Sequence, residues 1–63
     1  VTVSTDDMLA AARRELNMRK RVYPRWVEAG RITQAKADHE IACMESIVQV
    51  LENRKAAQEP SLL

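Results

Sequence analysis

"RVYPRWVEAGRIT", residues 21–33, contains the only glycine of the chain, its only tyrosine and tryptophan, and one of its two prolines. Apolar residues at helical spacing run through Val22, Tyr23, Trp26 and Val27 and stop at Gly30. Glycine is the usual occupant of the left-handed position just past a helix end. Ile32 and Thr33 then follow in the order of a hydrophobic staple and an N-cap, which opens a second helix. Pro24 falls on the polar half of the first helix, so its missing N–H costs a bond to the Lys20 carbonyl on the solvent side. A kink is expected there rather than a stop. The stretch predicts the corner of an antiparallel helical hairpin, residues 30–33, with the aromatics plugging its closed end.

Upstream, Ser4 and Thr5 are candidate N-caps, and Asp6 and Asp7 occupy the first turn, where they complement the helix dipole. Winding residues 5–29 at about 100° per residue gathers the apolar side chains, from Met8 and Leu9 to Trp26 and Val27, on one broad half. Arg13, Arg14, Lys20, Arg21 and Arg25 gather on the other. Downstream, residues 34–57 place Ala37, Ile41, Met44, Ile47, Val48 and Leu51 on one side, with Cys43 and Val50 at its edge. Pro60 ends this helix, and residues 58–63 read as a frayed tail. The fold class is all-α, a single domain over residues 1–63.

Each apolar arc spans nearly half the helix circumference, wider than the stripe of about 100° that a helix facing one core shows. A chain of 63 residues also buries only about 60% of the surface its unfolded form exposes. One cysteine cannot make an internal disulfide, which leaves association as the remedy. A homodimer is expected, two hairpins pairing into a four-helix bundle. No apolar run approaches the roughly 18 residues of a membrane span, and the N-terminus lacks the basic start and apolar core of a signal peptide. A cytoplasmic protein without a membrane partner is predicted.

Net charge is +1, unevenly placed: residues 1–31 carry seven basic and four acidic groups, and the remainder three and five. Within the apolar arcs, Glu15 and Arg19 lie one turn apart on helix one and Glu40 lies on helix two. Folding about Gly30 puts Arg19 and Glu40 at similar distances from the corner, roughly 15 Å along each helix. A partly buried Glu15–Arg19–Glu40 cluster is predicted, fixing register more than adding stability.

"HEIAC", residues 39–43, approaches the zinc-protease string H-E-x-x-H, with cysteine in place of the second histidine. His39 and Cys43 can share a metal, but Glu40 is assigned to the core arc and two ligands do not make a catalytic zinc site. A His2Cys2 site between two copies is the remaining metal arrangement, and a surface histidine beside a rim cysteine is preferred to it. No metal and no cofactor are expected. The basic stripe Arg13, Arg14, Lys20, Arg21 and Arg25, with Arg31 at the corner, suits an acidic protein partner or a phosphate backbone. The isoelectric point of 8.1 favours the protein, since nucleic-acid domains more often exceed 9. Trp26 is a candidate contact beside that stripe, with Arg25 or Arg31 stacked on its face. No nucleophile–base pair, glycine-rich phosphate loop or carboxylate pair is present, so catalysis is not expected.

Residues 18–52, "MRKRVYPRWVEAGRITQAKADHEIACMESIVQVLE", carry Met18, Arg19, Val22, Tyr23, Pro24, Trp26, Val27 and the Gly30-Arg31-Ile32-Thr33 corner, then Ala37, Glu40, Ile41, Met44 and Ile47. In these positions the chain resembles short helical proteins encoded by bacteriophages and prophages of Gram-negative bacteria. The resemblance implies a phage origin and brings no established activity with it. It suggests a small non-catalytic protein, in the cytoplasm of a host bacterial cell, that binds and modulates a host or phage protein of defence, replication or transcription. The alternative is a nucleic-acid accessory protein using the basic face of helix one.

Overall fold

Ser4 is the N-cap of the first helix: its hydroxyl oxygen accepts from the Asp7 N–H at 3.0 Å. In a computed structural model that describes residues 2–58, α1 runs Thr5–Glu28 and α2 runs Gln34–Gln58. The choice between Ser4 and Thr5 goes to Ser4 because its backbone is still extended, at ψ 158°, while Thr5 is already helical. Pro24 lies inside α1, which continues one turn past it. α1 ends one residue earlier than its periodicity predicts, and α2 takes in Gln58. The remainder of the expected tail, residues 59–63, lies outside the described residues.

The corner is a Schellman closure. The Arg31 N–H donates to the Trp26 carbonyl at 2.8 Å and the Gly30 N–H to the Val27 carbonyl at 3.0 Å, satisfying carbonyls that a helix end leaves open. Gly30 has φ +74°, and it is the sole described residue on the left-handed side. Thr33 then caps α2, its hydroxyl oxygen accepting from the Lys36 N–H at 3.1 Å.

The helices lie antiparallel over a thin core. Leu9 and Ala12 of α1 meet Met44 and Val48 of α2, with Leu16 and Leu51 half-buried against them. Ala37 is the remaining buried apolar residue among those described. Two helices can cover only one stripe of each other, and the wide apolar arcs are not closed by this contact. Ile47, assigned to the core by its periodicity, is 47% exposed, and Val50 is 66% exposed.

Candidate functional site

The two seams flanking the core differ in chemistry. Along the first, Asp6, Arg13 and Lys20 recur every seven residues of α1, the spacing that keeps side chains on one edge of a helix pair. Asp6 pairs with Lys55 at 3.0 Å, Arg13 with Glu52 at 2.7 Å and Lys20 with Glu45 at 3.5 Å. The Thr5 hydroxyl adds a bond to the Gln58 side chain at 2.8 Å. Arg13 and Lys20 therefore do not belong to the back of α1: their long side chains reach across to the acidic α2. Two of these pairs set a basic group of the first half of the sequence against an acidic group of the second, and Asp6–Lys55 runs the other way.

The second seam changes character along its length. At the open end Met8, Ser46, Ile47, Val50 and Leu51 line an open apolar groove. In the middle, Arg19 donates from Nε to the Glu15 carboxylate at 3.0 Å and from an Nη to the main-chain carbonyl of Glu40 at 2.8 Å. The three residues of the predicted charge cluster are thus brought together, but not by the atoms expected. The Glu40 carboxylate turns away, 4.0 Å from Lys36 Nζ, and it stands beside His39 and Cys43. Helical projection missed this because it places a Cβ, and a glutamate reaches either flank from there.

Toward the corner, Tyr23 and Trp26 stack on each other with ring centroids 5.3 Å apart and planes 26° from parallel. Both are half-buried. The arginine over this pair is Arg19, with its guanidinium carbon 6.0 Å from the Tyr23 centroid. It is neither Arg25 nor Arg31.

The back of α1 keeps Arg14, Arg21 and Arg25, all exposed, and Arg31 is exposed at the corner. Among the described residues none of the four has an acidic partner. Arg14 and Arg21 lie one on each side of Asn17 and Met18 in a shallow depression that also takes in Ala11 and Glu15. Two cations seven residues apart thus flank a floor with apolar atoms.

Compared with family models, curated proteins and solved structures, the chain matches none. No helix among the described residues is long and apolar enough to cross a membrane.

Proposed function

We propose that this chain is a non-catalytic interaction module: a helical hairpin that pairs with a second copy and binds, through the back of α1, an acidic surface of a host or phage protein. The observation that carries the partner face is the set of cations left over. Arg13 and Lys20 are neutralised across the hairpin, whereas Arg14, Arg21, Arg25 and Arg31 face solvent without an acidic partner among the described residues. Arginine favours carboxylate recognition because its planar fork gives two parallel hydrogen bonds, and the depression between Arg14 and Arg21 adds apolar contact beside them.

The homodimer is supported by the unsealed groove at Met8, Ile47, Val50 and Leu51. Antiparallel pairing of two hairpins covers such a groove and leaves the back of α1 on the outside of a four-helix bundle. The resemblance of residues 18–52 to phage-encoded proteins supports a setting in an infected bacterial cytoplasm, with the partner among defence, replication or transcription proteins. The nucleic-acid alternative draws on the same four arginines, since phosphates accept from guanidinium as carboxylates do.

The experiment that separates them is capture from nuclease-treated host lysate by the native chain and by the triple variant Arg14→Glu, Arg21→Glu, Arg25→Glu. Lys20 is left intact because it belongs to the first seam. A protein retained after nuclease treatment and lost with the triple variant is the expected outcome. Retention that nuclease abolishes moves the site to nucleic acid. Retention that the variant leaves unchanged removes the back of α1 from the account.

A further inference from the structure

We infer that His39, Glu40 and Cys43 form a binding site for a single zinc-class divalent cation on the outer face of α2. The Cys43 Sγ lies 3.6 Å from the His39 Nε2, and one carboxylate oxygen of Glu40 completes a set whose ligand atoms all lie within 4.8 Å of one another. Zinc bonds of about 2.3 Å to sulfur and about 2.0–2.1 Å to nitrogen, opened to a tetrahedral angle, separate the two ligand atoms by about 3.6 Å. The sulfur–nitrogen edge of a tetrahedron therefore stands ready. Rotation of the Glu40 side chain closes the remaining gap.

The helix supplies this geometry from sequence. Residues 39 and 43 are one turn apart on one face, and the glutamate at 40 reaches back to them because its carboxylate is not held by Arg19, which takes the Glu40 carbonyl instead. His39 is exposed, and Glu40 and Cys43 are half-buried, so a hydrated ion can enter without unfolding. A thiolate, an imidazole and one carboxylate select a borderline-soft ion over calcium or magnesium, which need more oxygen ligands. Three protein ligands leave the fourth position to water or to an exchangeable ligand. Binding takes the thiolate form of Cys43 and releases its proton to solvent. The Lys36 ammonium, 4.0 Å from the Glu40 carboxylate, competes with the ion for it.

Cobalt(II) titration of the reduced chain, read by absorbance, tests the site. Expected are one cobalt per chain, a thiolate-to-cobalt charge-transfer band and the intense visible bands of tetrahedral cobalt, with zinc displacing them. Cys43→Ser abolishes the charge-transfer band. His39→Ala and Glu40→Gln weaken binding by at least the roughly tenfold that even loss of a supporting contact to a metal ligand costs, with helicity unchanged. Lys36→Met tightens binding, an effect that a purely structural role for the cluster would not produce. Saturation at half a cobalt per chain would place the ion between two copies and overturn the single-chain site. So would a missing charge-transfer band, or binding that the three ligand variants leave unchanged.

Discussion

Arg19 and Glu40, 21 positions apart in sequence, are joined by a 2.8 Å hydrogen bond from the guanidinium to the main-chain carbonyl. The same guanidinium holds the Glu15 carboxylate at 3.0 Å and lies 6.0 Å from the Tyr23 ring centroid. With 19% of its side chain exposed, Arg19 is the most enclosed charge among the ion pairs of the described residues. One side chain therefore ties α1 to α2 halfway between the apolar groove and the aromatic corner.

Arg19→Met keeps much of the stem's packing but strips three partners, so it should destabilise the hairpin by about 1–3 kcal/mol. For a chain of this size each kcal/mol moves the melting temperature by about 4–8 °C. Glu40→Gln retains the carbonyl and should stay within about 0.5 kcal/mol of the native chain. Thermal melts followed by circular dichroism check both. Equal losses from the two variants would mean that the carboxylate carries the contact.

Gly30 isolates a backbone effect. A Cβ built there meets nothing within 4 Å, yet φ is +74°. Gly30→Val should cost about 1–2 kcal/mol through conformation alone, and Gly30→Asn should cost less because asparagine tolerates the left-handed region. Denaturant unfolding of the two variants reads the difference, and equal costs would point to crowding instead.

The charged seam sets alignment more than stability. A double-mutant cycle on Arg13 and Glu52, both well exposed, should give a coupling of about 0.2–1 kcal/mol that fades with added salt. Its contribution to register lies in sign. Sliding α2 by seven residues to bring Glu45 opposite Arg13 would bring Glu52 opposite Asp6, two like charges.

The apolar seam should govern self-association. Ile47→Glu with Val50→Glu removes little from the core, because both residues are largely exposed. The variant should therefore keep its helicity while light scattering finds a monomer. A native chain that is itself monomeric at high concentration would contradict the four-helix bundle.

What the sequence made legible was local. Ser4, Gly30 and Thr33 each act within three or four residues of themselves, so local sequence placed the corner and the second helix start, and the first start to within the pair Ser4 and Thr5. The meeting of Arg19 with Glu40 followed from counting residues on either side of Gly30, because two rigid rods joined at a corner leave little freedom along their length. The atoms that meet did not follow. A long side chain reaches either flank of its helix, which is why Arg13 and Lys20 cross to α2 and the Glu40 carboxylate leaves the core side for His39 and Cys43. Ile47 stays outside the core for a different reason. Periodicity reports how wide an apolar arc is, but a single partner helix covers only part of it.

The most direct test of the interaction-module account is capture from nuclease-treated host lysate, with the native chain compared against the variant carrying glutamate at positions 14, 21 and 25. The account predicts a host or phage protein retained by the native chain and lost by a variant of unchanged helicity. A partner retained equally by both chains, or no protein retained by either, would contradict it.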